Sequence, residues 1–261
     1  MITLKDKVCL ITGGAASIGL AITRLLVRLE AKVVVADISA EKGDAMLREL
    51  GDKVVFVQTD IKRDGDLQSV VQKTIDTFGK LEVLIHNAAS YGDYGSATKR
   101  EEWLDTLNTN VVSVAQMSEL CRPHLNASKG NIVCIGSVSG TFPHIARWAY
   151  PVSKAALTHL MKSMALEYAQ DGIRVNMVRL GHTWSDPFAG LTQNDRVHAN
   201  GVVAPLNLLE RVADGEEVAN AVAFVASDLA TYMTGSETVV DGGYSAMGPE
   251  QDVPLMPLLM K

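Results

Sequence analysis

Short apolar runs rich in Val, Ile and Leu alternate with longer stretches of helical spacing along almost the whole chain. The runs predict strands over Lys7–Thr12, Ala31–Asp37, Lys53–Gln58, Leu81–Asn87, Gly130–Ser137, Ile173–Leu180 and Thr238–Asp241. Most lack polar alternation, as expected for parallel strands covered on both faces. Between them the helical pattern is clearest at Leu157, Leu160, Met161, Met164, Ala165 and Tyr168, which form one stripe. Alternating strands and helices imply βαβ units, and right-handed crossovers then favour a doubly wound α/β fold. The expected architecture is a seven-stranded parallel sheet of Rossmann type with helices on both faces.

No repeat or linker divides residues 1–243, which read as one domain followed by a tail over 244–261. Gly181–Glu210 has no clear period and carries an Asp-Pro pair and several Asn, so it reads as a long loop with room for short helices. A loop of that length in a compact domain is more often functional than not. The tail ends in VPLMPLLMK, apolar but broken by prolines, and is either loose or laid against a neighbouring subunit's active site.

Composition narrows the function classes. The chain has 261 residues, 47% hydrophobic, with 24 Lys+Arg against 30 Asp+Glu and a formal charge of −6. That balance argues against a nucleic-acid partner or a polybasic membrane anchor. No apolar run approaches the roughly 18 residues of a membrane span. Charges at Lys5, Asp6 and Lys7 interrupt any signal-peptide core, so a cytoplasmic location is expected. Cys9, Cys121 and Cys134 form no CxxC or His/Cys cluster, and they read as buried reduced thiols rather than metal ligands.

The first strand runs into Thr12-Gly13-Gly14-Ala15-Ala16-Ser17-Ile18-Gly19, and a helical pattern follows. Glycine permits close backbone approach, and a helix N-terminus offers unpaired N–H groups, so this turn suits a pyrophosphate. The second strand ends at Asp37, whose carboxylate can accept from both hydroxyls of an adenine ribose and would repel a 2′-phosphate. No Arg or Lys stands in the turn and Ile38 follows the Asp, so charge favours NAD over NADP. Asp60-Ile61 and Asn87 close the third and fourth strands, where side chains either meet adenine or organise neighbouring backbone.

The fifth strand ends at Ser137, and Tyr150-Pro151-Val152-Ser153-Lys154 follows. Tyr and Lys four apart at the start of a helix share a face. Neither Ser137 nor Ser139 is flanked by glycines at two residues on both sides, so the nucleophile elbow of a serine hydrolase is absent.

Together with Asn110, expected to begin a helix after the fourth strand, this set resembles the short-chain dehydrogenase/reductase family over about Lys5 to Gly243. The family's TGxxxGxG turn, NNAG motif and Asn-Ser-Tyr-Lys set fall on Thr12–Gly19, His86–Ala89, and Asn110, Ser137, Tyr150 and Lys154. Ile173–Asn176, Gly181 and Thr234–Gly243 match its trailing features. Four departures stand out. Ser17 replaces the middle glycine, which suggests either a negative φ there or a hydroxyl directed at the phosphate. His86 and Ala89 replace the outer residues of NNAG, Leu180 replaces a proline, and Ser185 stands where a threonine often meets the nicotinamide. Thr183 is an alternative partner for the carboxamide.

The resemblance implies NAD held by Gly13, Ser17, Ile18, Gly19, Asp37, Asp60, Ile61, Asn87, Tyr150, Lys154 and Thr183, and hydride transfer to or from a secondary alcohol or ketone. It makes Tyr150 the general acid/base, Ser137 the donor to the substrate oxygen, Lys154 a ribose ligand, and Asn110 the holder of a water beside Lys154. An isolated Tyr titrates near 10, and a cation about 4 Å away supplies about 4 kcal/mol toward lowering that. Lys154 is expected to be that cation. An NADPH-dependent 3-oxoacyl-type reductase and a non-enzymatic NAD-binding regulator are the competing readings. The substrate walls are expected from Tyr91, Tyr94, Phe142, His144, Trp148, His182, Trp184 and Phe188, with Arg147 read as a solvated surface charge ahead of an acid-binding one. Relatives of this kind assemble as homodimers or homotetramers, and the expected partner is a small-molecule substrate.

Overall fold

The computed structural model describes residues 2–248 and 255–260. Its elements run β1 (Val8–Thr12), α1 (Ser17–Arg28), β2 (Lys32–Asp37), α2 (Ala40–Leu50), β3 (Val54–Gln58), α3 (Asp64–Phe78) and β4 (Val83–His86). They continue with α4 (Arg100–Leu107), α5 (Ser113–Ser128), β5 (Asn131–Ser137), α6 (Ala149–Tyr168) and β6 (Arg174–Leu180). The chain then forms α7 (Asp186–Leu191), α8 (Arg196–Val203), α9 (Gly215–Ala226), β7 (Glu237–Val240) and α10 (Leu255–Leu259). All seven strands pair in parallel, in the order β3-β2-β1-β4-β5-β6-β7. The expected sheet is therefore observed, with each strand within two residues of its predicted bounds.

The apolar runs are explained by two cores, one on each face. Odd positions of the first strands, Cys9, Ile11, Val33 and Val35, pack with α1 and α9 through Ile22, Leu26, Val218 and Val222. Even positions, Leu10, Val34, Ile132 and Cys134, pack with α3, α5 and α6 through Val70, Met117, Leu157 and Met161. A strand buried on both faces has no polar position to alternate with. The methionine-rich stripe of α6 is thus core. All three cysteines are buried and free.

Helix ends carry conventional stops. Ser39 caps α2 by accepting from the Lys42 N–H, and Asp214 with Glu217 forms a reciprocal box at the start of α9. The long segment Gly181–Glu210 contains α7 and α8, as its composition allowed. Strand order reverses between β1 and β4, and the crevice beyond their carboxyl ends is where ligands of such sheets bind. The tail's possible role beside a neighbouring subunit falls partly on residues 249–254 and 261, outside the described residues.

Candidate active site

A cavity of about 590 Å³ opens along the carboxyl ends of the strands. Its lining includes Gly13, Ser17, Ile18, Gly19, Asp37, Asp60, Ile61, Asn87, Ser137, Tyr150, Lys154 and Thr183. Thus every residue expected to touch coenzyme faces one space, together with three of the four expected to do chemistry. Asn110 stands behind it.

The glycine turn is fixed by its neighbours. Gly13 has φ +64°, and a Cβ there would stand 2.9 Å from the Ala88 Cα. A Cβ on Gly19 would overlap the Gly13 carbonyl oxygen. The Asn87 side-chain amide donates to the carbonyls of Thr12 at 3.1 Å and Gly13 at 2.8 Å, so Asn87 organises this backbone. Ser17, Ile18 and Gly19, the first turn of α1, line the cavity, and the N–H groups of a first helical turn have no partner within the helix. Asp37, 9% exposed, accepts from the N–H groups of Ala15 and Ser39, one on each carboxylate oxygen. Each oxygen keeps a lone pair for a further donor.

Ser17 corrects one expectation. Its φ is +54°, so serine occupies the left-handed region that a glycine would favour, rather than a negative φ. Its hydroxyl accepts from the Asp186 N–H at 3.1 Å, on the first residue of α7. Asp186 also pairs with Lys42 at 2.7 Å, across the cavity that both line. Lys42 and Lys62 are cavity cations that sequence reading missed, and each is paired, Lys62 with Asp105 at 2.7 Å.

At the other end, α6 presents Tyr150 and Lys154 one turn apart. The Lys154 side chain is 3% exposed and its ammonium donates to the Ile135 carbonyl at 2.9 Å. Burial pulls its pKa down to about 8. The ammonium stands 5.7 Å from the centre of the Tyr150 ring. Burial and Tyr91 raise the phenol well above its ordinary range, opposed by the Ser137 hydroxyl and by Arg147. The expected lowering of Tyr150 by Lys154 is therefore absent in the protein alone. The reason is geometric: the ammonium is turned to a carbonyl, and desolvation of the phenol outweighs the charges near it.

Asn110 does not begin a helix. It lies in a π-helical turn, Asn108–Val112, that joins α4 to α5 without a break. The extra residue follows from the Ser113 N–H and hydroxyl both reaching the Asn108 carbonyl. The Asn110 side chain, 1% exposed, accepts from the Ser90 N–H and donates to the Ser90 carbonyl and the Ser153 hydroxyl. Its amide is used in tying the strand-end loop to α6.

Asp93 is a residue that the sequence did not mark. It is 5% exposed, and its carboxylate accepts from the N–H groups of Gly95, Trp148 and Tyr150 at 2.9–3.0 Å and from the Thr98 hydroxyl at 3.2 Å. Burial would raise its pKa, but the N–H groups of Trp148, Tyr150, Gly95 and Ala149 outweigh burial and hold it below the usual carboxylate range. A fixed negative charge thereby stands at the N-terminus of the helix that carries Tyr150.

The aromatic residues divide. Tyr91, His182 and Phe188 line the cavity. Trp184 packs with Phe188 on a small core under α8 instead. Tyr244, unmarked in the sequence, stands edge-on to Phe142 and His182 at 5.6 Å each.

This arrangement defines a dinucleotide-type oxidoreductase site, and comparison with known proteins agrees. The family model described as enoyl-(acyl carrier protein) reductase matches residues 13–245. The short chain aldehyde dehydrogenase 1 of Euphorbia lathyris is 35% identical over 94% of this chain and 90% of its own. The 3-oxoacyl-[acyl-carrier-protein] reductase FabG of Escherichia coli (strain K12) is 34% identical over 92% of this chain and 97% of its own. The crystal structure of the Cj0485 dehydrogenase superposes with a TM-score of 0.87 at 26% identity, covering 95% of this chain and 97% of that one. The chain belongs to the short-chain dehydrogenase/reductase family of oxidoreductases.

Proposed function

We propose that the protein is an NAD-dependent oxidoreductase that interconverts a secondary alcohol and its ketone, with Tyr150 as the acid/base. The observation that carries this reading is the single cavity joining Asp37 and the Gly13–Gly19 turn to Ser137, Tyr150 and Lys154. The donor set suits a nicotinamide dinucleotide: first-turn amides for the pyrophosphate, the Asp37 carboxylate for ribose hydroxyls, and Lys154 and Tyr150 at the nicotinamide end. Bound there, the coenzyme supplies the acceptor or donor of a hydride.

The protein's own groups handle the proton. In ketone reduction the Tyr150 phenol gives its proton to the substrate oxygen as the carbonyl carbon gains a hydride; alcohol oxidation is the reverse and starts from the Tyr150 phenolate, which takes the hydroxyl proton as the C–H electron pair leaves as hydride. Ser137 donates to the substrate oxygen as negative charge develops. Burial keeps Tyr150 protonated in the protein alone, the form that ketone reduction requires.

A 3-oxoacyl-type reductase using NADPH is the second reading, favoured by the similarity to FabG. Against it stand the Asp37 carboxylate, which would face a 2′-phosphate, and the pairing of both nearby lysines with acids. Assembly into a dimer or tetramer is part of the proposal, supported by exposed Leu104, Val112, Val152 and Leu166 on α4, its π turn and α6. The test is a panel of secondary alcohols, ketones and 3-oxoacyl thioesters with NAD(H) and NADP(H), read at the nicotinamide absorbance. Turnover of alcohols or ketones with NAD(H) supports the reading. Turnover only of thioesters with NADPH overturns it.

A further inference from the structure

Beside the reaction cavity lies a second hollow, lined by Tyr91, Asp93, Tyr94, Ala146 and Arg147. Tyr91 belongs to both spaces, and its ring stacks on that of Tyr150 with centroids 5.1 Å apart. The hollow therefore begins at the reacting end of the cavity, one aromatic ring away from the proton donor.

Local backbone is committed to presenting Arg147 there. Ala146, immediately before it, has φ +60°, a left-handed conformation that costs a residue with a Cβ about 1 kcal/mol or more. Gly95 comes so close to that turn that a Cβ would stand 2.9 Å from the Ala146 Cα. The buried Asp93 carboxylate holds the other side through the Trp148 N–H. Arg147 closes the turn by donating its N–H to the His144 carbonyl at 3.3 Å. Its Nη1 points back to the Asp93 carbonyl at 3.3 Å and the Tyr91 carbonyl at 3.5 Å. Strain retained by surrounding structure is characteristic of ligand clamps.

Arg147 is exposed, at the open rim of this shallow hollow, and its charge has no acidic partner among the described residues. Among the described residues no carboxylate lies within ion-pair distance of the guanidinium. Asp93, the acid of the hollow, already receives three N–H groups and a hydroxyl. A guanidinium offers a planar fork suited to a carboxylate, and the half-exposed rings of Tyr91 (47%) and Tyr94 (63%) offer apolar faces on which a carbon skeleton can lie.

From this geometry we infer that the hollow is a substrate subsite in which Arg147 receives a carboxylate, so that the substrates are hydroxy or keto acids whose anionic end lies several bonds from the reacting carbon. The Tyr91 ring between the hollow and Tyr150 sets that separation and disfavours 2-hydroxy acids. The inference rests on the reading of Tyr150 as the acid/base of an alcohol/ketone oxidoreductase.

The test compares keto acids with their own methyl esters, which keep the ketone and lose the charge. Reduction of 5-oxohexanoate and 6-oxoheptanoate, each against its ester, is measured with NADH and NADPH beside a panel of neutral ketones. The expected kcat/KM ratio of acid to ester is about 10- to 100-fold, the scale of one charge-assisted contact. Arg147→Gln brings the ratio toward one, and Arg147→Lys retains part of it. An acid-to-ester ratio near one in the native protein, or one that survives Arg147→Gln, overturns the inference. So does turnover of neutral ketones with refusal of the acids, an outcome that leaves the oxidoreductase reading standing. Failure of every alcohol and ketone with both coenzymes instead removes the oxidoreductase reading, and the inference with it.

Discussion

Lys154, proposed above to hold the coenzyme's ribose, is placed at a cost in stability. Its ammonium is buried with one carbonyl partner, and its pKa falls from 10.5 to about 8. Each unit of such a shift is about 1.4 kcal/mol, so holding the charge in the folded protein at pH 7 costs about 3 kcal/mol. Lys154→Met should therefore raise thermal stability at pH 7 in coenzyme-free protein while abolishing turnover. The sign with pH follows from proton counts. Between about 8 and 10.5 the unfolded chain holds a proton that the folded chain has lost, so native stability rises with pH across that window. The variant's advantage should shrink to nothing by about pH 10.5, and thermal melts across that range check it. Asp37 offers a second check at this scale. Asp37→Ala should weaken NAD binding and move the NAD/NADP preference at least about tenfold toward NADP, measured as the ratio of kcat/KM values. An unchanged ratio would count against the ribose role.

At the scale of elements, strand ends and helix starts position these residues, and their legibility in the sequence differs for physical reasons. Strands were readable because residues such as Val33, Val34 and Val35 are buried on both faces, leaving an unbroken apolar run. Tyr150 and Lys154 were readable because one helical turn separates them by four positions. Asn110 was misplaced because a π turn depends on which carbonyl the Ser113 N–H reaches, and no residue type encodes that. Asp93 was invisible for a related reason: its partners Trp148 and Tyr150 come to it through the fold, more than fifty positions later in the chain. Asp93→Ala should loosen the start of α6 and lower kcat by about 10- to 100-fold, the scale of 1–3 kcal/mol for unsatisfied buried N–H groups. Coenzyme affinity, set at the far end of the cavity, should change far less. Equal losses in both would point to general unfolding instead.

The end of β4 carries a different signature. His86 is 4% exposed, bonds to the Ser118 hydroxyl at 2.9 Å, and burial depresses its pKa to about 3. Below about pH 6.5 the unfolded chain takes up a proton that the folded chain refuses, so stability falls as pH drops toward 3. His86→Asn should flatten that acid loss by about 3 kcal/mol at pH 4, measured by urea unfolding as a function of pH.

For the whole molecule, the sheet brings together residues that no local pattern joins. Ser17, Lys42 and Asp186 meet across the cavity although Asp186 lies far along the chain. The Ser17 hydroxyl thus has a partner at the first residue of α7, within the Gly181–Glu210 segment, which the glycine of the family pattern would lack. Such pairings depend on topology, so only the strand order reveals them. No described helix is long and apolar enough to cross a membrane. On the proposed function, this one cavity binds coenzyme and transfers a proton through Tyr150. Tyr150→Phe tests it most directly, because the change removes one oxygen and leaves the ring stacked on Tyr91. Steady-state turnover should fall at least about 100-fold, the scale of general acid–base catalysis, while NADH binding, read by quenching of tryptophan fluorescence, persists. Full turnover in that variant would contradict the account.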